Sequence, residues 1–194
     1  MTNYLTIDGK ENRNLVIPND FVTVSHDKRQ RNGEPVTVVR YQKKGPVTPN
    51  NPHVTIVLGD NQRLLSYNNF SFETPGKLPS SKQAVNLATQ VFQSIDSVYA
   101  SGLSFMRIDN ETRTFINDDG KLITTPIMWV KFAHNNGSYN WVSIGPNAEI
   151  VEVERESLWD FGQWRRGTEE WNIDDWVLAR EGKGPQLKAP SALA

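Results

Sequence analysis

The stretch SSKQAVNLATQVFQSID, residues 80–96, carries the clearest helical pattern in the chain. Its apolar residues recur every three or four positions, which places them along one side of a helix. Such a stripe must be buried against another layer, and the short alternating segments on both sides of it predict that this layer is a sheet. The stripe consists of Ala84, Val85, Leu87, Ala88, Val91, Phe92 and Ile95.

The start of this helix is marked by a capping signal. Ser80 is followed three residues later by Gln83, which is the S-x-x-Q pattern of a capping box. In that arrangement the serine hydroxyl accepts from the backbone N–H of Gln83, and the glutamine side chain reaches back to the backbone of Ser80. Because Pro79 ends the preceding segment, we predict that the helix begins directly after Ser80.

The composition describes a chain of balanced charge. Its 194 residues and 22.0 kDa are typical of one domain, or of one domain with an appendage. Lys and Arg number 21 against 22 Asp and Glu, without a long run of either sign, which argues against binding nucleic acid through phosphate neutralisation. Cysteine is absent, which excludes disulfides, thiolate metal sites and a thiol nucleophile.

Most of the remaining sequence predicts short antiparallel strands. Asn32-Gly33 is the strongest turn signal and predicts a tight hairpin. Further turns are marked by Asp118-Asp119-Gly120 and by residues 135–137. The predicted strands are residues 21–24, 35–41, 53–58, 63–72, 103–108, 113–117, 122–124, 127–134, 138–145 and 149–156.

Together these elements predict an α+β fold, in which one antiparallel sheet packs on one main helix, similar in outline to the cystatin fold. A C-terminal helical appendage follows, with a helix over about residues 168–180. We divide the chain into an N-terminal arm (1–20), the α+β domain (21–156), a Trp-rich C-terminal appendage (157–184) and a flexible tail (185–194).

Three segments resemble a known type of module. They are NGEPV at 32–36, VTIVLGDNQRLLS at 54–66 and SSKQAVNLA at 80–88. At these residues the chain resembles the PepSY domain and the propeptide-type modules of thermolysin-like and fungalysin-like metalloproteases, over residues 21–156. The resemblance implies a non-catalytic role, namely protein binding, inhibition or assisted folding of a partner, usually outside the cytoplasm. The H-E-x-x-H motif of those proteases is absent, so the chain is not such a protease with its propeptide.

Residues for catalysis or metal binding do not form a recognisable motif. His26, His53 and His134 are far apart in the sequence, without the close spacing of metal ligands, and we interpret them as solvated. Neither a G-x-S-x-G elbow nor a phosphate-binding loop occurs. We therefore predict no catalytic residue, no cofactor and no metal, and we expect that the protein is not an enzyme. A Ser-His-Asp arrangement brought together by the fold stays open.

A cluster of tryptophans and arginines in the last quarter is the tentative ligand-binding site. Its members are Trp159, Trp164, Arg165 and Arg166. Guanidinium planes stack on indole rings, and such a patch can hold a sugar, a carboxylate or a peptide. The alternative interpretation is that the tryptophans attach a C-terminal arm to the sheet.

Two functions remain open from the sequence. The first is a non-catalytic protein-binding, inhibitory or chaperone-like module of PepSY type, which binds a partner through an exposed strand edge. Residues 149–156 are the expected edge, because alternating glutamates keep an unpaired strand in solution. The alternative is a small-molecule or carbohydrate-binding protein that uses the sheet face and the Trp/Arg cluster.

The location of the protein follows from two opposed indications. The N-terminal residues lack a leader-like pattern, which at face value predicts the cytoplasm, and no apolar run is long enough to span a membrane. A leader that has been removed would instead place the protein outside the cytoplasm, as the resemblance implies. The oligomeric state is left open.

Overall fold

The computed structural model describes residues 3–7, 9–73 and 75–194, and this part of the chain is mostly strand, 48% against 17% helix. The α-helices are α1 (Ser81–Ile95), α2 (Ser97–Ala100) and α3 (Asp174–Arg180). The strands are β1 (Asn3–Ile7), β2 (Lys10–Ile17), β3 (Phe21–Arg31), β4 (Glu34–Lys43), β5 (His53–Leu58), β6 (Leu64–Phe70), β7 (Leu103–Ile116), β8 (Leu122–His134), β9 (Tyr139–Ile144), β10 (Ile150–Ser157), β11 (Trp159–Asp160) and β12 (Arg165–Arg166).

A single eight-stranded antiparallel sheet organises the molecule, in the order β3-β4-β5-β6-β10-β9-β8-β7. The prediction of an α+β fold with a sheet packed on one main helix is therefore wrong. The chain forms two four-stranded meanders, one before α1 and one after α2, and these pair through their last strands, β6 and β10. A sheet of this width is too large for α1 to cover, so other segments must pack on it as well.

The two meanders are related by an approximate two-fold axis at the centre of the sheet. Tyr67 pairs with Val153, and the neighbouring pairs are Ser66 with Glu154 and Asn68 with Glu152. The turns before β6 and before β10 also share one conformation, a short 3-10 turn whose middle asparagine has φ of 54° in one and 57° in the other. As a result, the first strand of each meander, β3 or β7, forms one outer edge of the sheet.

One face of the sheet carries the main apolar core under α1 and the β1–β2 hairpin. The predicted capping box is confirmed, since Gln83 N donates to Ser80 Oγ at 3.4 Å and Ser80 N donates to Gln83 Oε1 at 2.9 Å. The N-terminal hairpin is attached through Leu15, which is buried, and through Tyr67 Oη, which donates to the carbonyl of Val16 at 2.7 Å. The α1 side chains in this core are Ala84, Ala88, Val91, Phe92 and Ile95.

The opposite face is covered by residues 158–194, which we call the C-terminal arm. On β4, Val36 and Val38 face Trp171 of this arm, whereas Val39 faces the main core, as alternation along a strand requires. The appendage is less helical than predicted, because α3 has only seven residues. Trp176 on α3 is fully buried and lies edge-to-face with Trp171 at 4.9 Å.

The last ten residues pack against the rest of the arm. Trp176 Nε1 donates to the carbonyl of Ala192 at 3.2 Å, and Arg166 N donates to that of Pro190 at 2.8 Å. Ala192 is buried. The segment 185–194 thus has specific contacts in the folded chain, and its flexibility in solution stays a prediction.

Candidate functional site

The four residues of the Trp/Arg cluster lie in one hairpin of the C-terminal arm, formed by β11 and β12, but not on one surface. Trp159 and Arg165 are half-buried, and Arg166 is buried. Trp164 has 73% of its surface exposed. The structure therefore separates the cluster into an anchoring arginine and an exposed tryptophan.

Arg166 belongs to a buried network of charges between the arm and the sheet. Its guanidinium binds Glu154 of β10, and it also binds Glu170 of the arm at 3.2 Å. Arg31, at the end of β3, reaches the same Glu154 carboxylate at 2.8 Å. All four side chains are buried. Buried charges of this kind must be paired, so Arg166 is already committed to holding the arm in place.

Trp164 is at the tip of the hairpin. The carboxylate of Asp160 accepts from the backbone N–H groups of Gly162 at 2.8 Å and Gln163 at 3.0 Å, which fixes the turn. Phe161 and Trp164 project from this turn into solvent, and Trp164 has φ of 54°, an unusual backbone conformation for an aromatic residue. The tip therefore presents two aromatic side chains on a fixed turn.

The strand expected to be the open edge, residues 149–156, is not an edge. It forms β10, which lies at the centre of the sheet between β6 and β9. Glu152 and Glu154 are buried instead of facing water: Glu154 binds Arg166 of the arm, and Glu152 accepts from Arg113 Nε at 2.5 Å and from the hydroxyl of Ser143. The alternating pattern therefore reflects a buried ionic layer and not a solvated face.

The edge strand β7 has a row of outward-facing backbone groups. Thirteen of its fourteen residues pair with β8 on one side. Ile116 N donates away from the sheet, to the carbonyl of Asn50, at 2.7 Å. Because backbone groups of alternate residues point to opposite sides of a strand, the N–H and C=O groups of every second residue before Ile116 point outward as well. These residues are Ile108, Asn110, Thr112 and Thr114.

This outward row, residues 108–114, is bounded at both ends, and we call it the open edge. At one end the Asn50–Ile116 hydrogen bond closes it. At the other end the register with β8 shifts between Phe105 and Arg107, so that Met106 forms a bulge. Phe105 and Met106 are 49% and 41% exposed. In the described part of the chain no further strand pairs with β7.

The charges beside the open edge are compensated unequally. Asp109 binds Lys131 at 2.7 Å and Arg107 at 3.0 Å, and the hydrogen bond from Lys131, with that from Arg107, lowers the pKa of its carboxyl. Arg113 binds both carboxylate oxygens of Glu152. By contrast, Glu111 is exposed and makes no salt bridge to a described residue.

The other edge, β3, is partly covered by the chain itself. The indole Nε1 of Trp171 donates to the carbonyl of Gln30 at 2.7 Å, and Glu169 accepts from the backbone N–H of Asn32 at 2.8 Å. The guanidinium of Arg29 lies over the Trp171 ring at 4.9 Å. The arm thus binds the outward carbonyl of Gln30 at the end of β3 and the adjoining turn, whereas among the described residues it makes no hydrogen bond to the equivalent strand β7.

A buried histidine lies under α3, contrary to the prediction that all three histidines are solvated. His53 is 1% exposed; its Nδ1 lies 2.6 Å from the carbonyl of Asn51, and its Nε2 has no hydrogen-bond partner. Arg40 binds Asp174 of α3 at 2.6 Å, and both side chains act electrostatically on His53. Burial lowers the pKa of His53 from 6.5 to about 4, and the charge of Arg40 acts in the same direction.

This pKa predicts an acid-dependent loss of stability. Between pH 6.5 and about 4 the unfolded chain binds a proton at His53 that the folded chain does not, so the free energy of unfolding falls as the pH falls through this window. The pKa shift corresponds to a change of about 3 kcal/mol in the free energy of unfolding. The protein has this stability in full above pH 6.5 and loses it as the pH falls to about 4. Urea unfolding at several pH values should show a shallower dependence in His53→Gln and an unchanged one in the control His26→Gln. A His53 ring that titrates near 6.5 in the folded protein would contradict this account.

A groove of about 830 Å³ lies between the β1–β2 hairpin and the C-terminal end of α1. Its two buried or half-buried arginines are already paired. Arg63 binds Glu34 and Glu156 at 3.0 Å each, and Arg155 binds Asp96 at 2.9 Å. Since Arg63 and Arg155 are neutralised by neighbouring carboxylates, and the remaining cations of the groove, Lys10 and Arg13, are exposed, we place no ligand there.

Other kinds of site find little support in the geometry. Across residues 3–7, 9–73 and 75–194, no three His, Cys, Asp or Glu side chains come together as metal ligands would. None of the helices in this part of the chain has the length and hydrophobicity needed to cross a bilayer. Comparison with protein-family models, characterised proteins and solved structures gives no match.

The sequence indicated the Trp/Arg cluster but missed the open edge. Residues 103–108 and 113–117 were predicted as two separate strands, whereas they are parts of β7. The polar residues between them, Asp109 to Thr112, interrupt the apolar alternation that strand prediction depends on. The available signal was the hairpin turn at Asp118-Asp119-Gly120, which predicts a strand directly on either side of it.

Proposed function

We propose that this protein is a non-catalytic protein-binding module that takes up an extended segment of a partner protein along the open edge of β7. The observation that carries the proposal is the row of outward backbone groups over residues 108–114. An extended segment that lies beside such an edge adds a strand to the sheet and completes the hydrogen-bonding pattern.

The geometry limits how such a segment can bind. The Met106 bulge ends regular pairing on one side, and the Asn50–Ile116 bond ends it on the other. Within the open edge, the carbonyl of Thr112 already accepts from Arg113 Nη1 at 3.0 Å, so an added strand must share or displace this bond. A net stabilisation of about 0.5–1.5 kcal/mol per hydrogen bond makes a short segment a moderate-affinity ligand. The added strand would be about as long as residues 108–114.

Two further observations support protein binding. The resemblance to PepSY and propeptide-type modules implies this role, although the edge differs from the one that the sequence predicted. In addition, the arm already uses side chains to bind outward groups of β3, the equivalent strand of the first meander. The arm therefore occupies only the Gln30 end of the β3 edge, and within the described part of the chain it makes no hydrogen bond to residues 108–114 of β7.

The test uses a pair of substitutions at one residue. Asn110 is exposed and its backbone N–H points away from β8. Asn110→Pro removes that donor without removing a hydrogen bond of the β7–β8 pair, whereas Asn110→Ala removes only the side chain. We expect Asn110→Pro to weaken the binding of any edge-bound peptide at least tenfold, and Asn110→Ala to have little effect. Equal binding by both variants would show that the peptide lies elsewhere.

A second candidate function, carbohydrate binding, is favoured by one observation. The Trp164 ring stands exposed on a fixed turn beside Gln163 and Arg165, which supply an amide and a guanidinium. The ring of Trp129 on the sheet is not available for a sugar to stack on, because Lys131 Nζ lies 3.5 Å from its centre. Binding to a glycan array that Trp164→Ala abolishes and Asn110→Pro leaves unchanged would favour this function over strand addition.

A further inference from the structure

We infer that the segment bound at the open edge carries a basic side chain opposite Glu111 and an apolar side chain at the end that lies next to Phe105 and Met106. This inference rests on the proposed strand addition, and it identifies the chemistry of the partner. It follows from the side chains that border the open edge and not from its backbone groups.

The basic position follows from the charges along β7. Four charged side chains occupy every second position along one face of this strand, and all but one of them make a salt bridge. They are Arg107, Asp109, Glu111 and Arg113. Asp109 is bound by Lys131 and Arg107, and Arg113 is bound by Glu152. The carboxylate of Glu111 has no salt bridge to a described residue and acts on Arg113 only from beyond salt-bridge distance. In an antiparallel or parallel ladder, a cation directly across from it is attracted, and a carboxylate there is repelled.

The apolar position follows from the bulge. Phe105 and Met106 adjoin the end of the open edge and expose much of their surface. The Phe105 ring packs edge-to-face against Phe132 of β8 at 6.0 Å, so its position is fixed by the core strand beneath it. An apolar partner side chain that covers this pair removes hydrophobic surface from water, which a polar side chain does not.

A second copy of this chain fits the open edge poorly. Two antiparallel copies of β7 bring all four outward residues into register only when Ile108 lies opposite Thr114 and Asn110 opposite Thr112. In that register Glu111 faces Glu111 of the second copy. The same register places each Asp109 opposite Arg113 of the other copy, but these groups are already bound to Lys131, Arg107 and Glu152. The uncompensated new contact is the repulsion between the two Glu111 carboxylates, which a basic segment does not meet.

The experiment is selection from a displayed library of random peptides of about ten residues, on wild type, Glu111→Lys and Asn110→Pro. Glu111 is exposed, so the first substitution leaves the fold intact. From wild type we expect Lys or Arg near the middle of the selected peptides and an apolar residue towards one end. From Glu111→Lys we expect Asp or Glu at the same middle position. For a chosen peptide, exchange of its central Lys for Glu should weaken wild-type binding about fivefold, and salt should reduce this difference.

The outcomes separate the inference from the function on which it rests. If wild type and Glu111→Lys select the same central residue while Asn110→Pro selects nothing, strand addition stands and the inferred chemistry is wrong. If Asn110→Pro selects the same peptides as wild type, or if wild type selects none, strand addition itself is wrong. Self-association of the wild type that Asn110→Pro abolishes would make the second copy the partner and overturn the inference.

Discussion

Glu154→Ala should destabilise the protein by about 3–5 kcal/mol, the usual effect of removing one partner from a buried ionic network. Glu154 is 1% exposed and binds the guanidinium groups of Arg31 and Arg166. Without this carboxylate, two buried cations lose a partner, and the contact between the C-terminal arm and β10 is weakened. Urea unfolding monitored by circular dichroism measures the effect.

The matched control is an ion pair on the surface. Lys43 lies 2.5 Å from Asp118, and both side chains are exposed. Lys43→Ala should therefore leave the midpoint of urea unfolding nearly unchanged, because solvent screens this exposed pair. If Glu154→Ala has an effect as small as this control, the charges under the arm are not an essential part of its attachment.

Trp176→Ala is expected to have an effect of similar size, about 3–5 kcal/mol, because it empties the largest fully buried side-chain site in the described part of the chain. Trp176 is contributed by α3, contacts Trp171 and donates to Ala192, so its loss should loosen the arm before it affects the sheet. Limited proteolysis should then cut within residues 158–194 first and leave the strands intact.

Trp164→Ala serves as the control for this substitution. Its side chain is exposed at the tip of the β11–β12 hairpin, and truncation there should change stability by less than about 0.5 kcal/mol. If proteolysis of the Trp176→Ala variant cuts first within β3 to β10, the arm and the sheet unfold together, and the arm is not a separately loosened unit.

Local signals in the sequence were sufficient for individual turns and for the helix start. Asn32-Gly33 forms the turn between β3 and β4, with φ of 52° and 77°, which asparagine and glycine tolerate better than other residues. The capping box at Ser80 depends on residues three positions apart. Such features are decided by neighbouring residues, so they can be read without knowledge of the fold.

The fold class was wrong because it depends on contacts between distant residues. The strong pattern at 80–96 does form a helix, but α1 lies over only part of one face of an eight-stranded sheet. Pairing between β6 and β10 joins residues more than eighty positions apart, and nothing in either strand specifies the other. The two long strands β7 and β8 were predicted in pieces for a local reason, because Asp109 to Thr112 in β7 and Thr125-Pro126 in β8 interrupt the apolar alternation.

At the candidate site, too, the sequence pattern is local whereas the structure depends on contacts between distant residues. Alternating glutamates at 149–156 are typical of a solvated edge, yet they belong to β10 because Arg31, Arg113 and Arg166 converge on them from distant parts of the chain. The open edge of β7 could be recognised only from the strand order. The function proposed for it depends on backbone groups, which carry no sequence signal of their own.

Hydrogen exchange of the β7 amides tests the central proposal most directly. In the free protein the outward amides of Ile108, Asn110, Thr112 and Thr114 should exchange rapidly, while the intervening amides, paired with β8, are protected. On binding of a peptide selected as above, the outward amides should become protected, and residues 161–164 should remain unchanged. Protection that appears at the hairpin tip, or none along residues 108–114, would contradict strand addition at this edge.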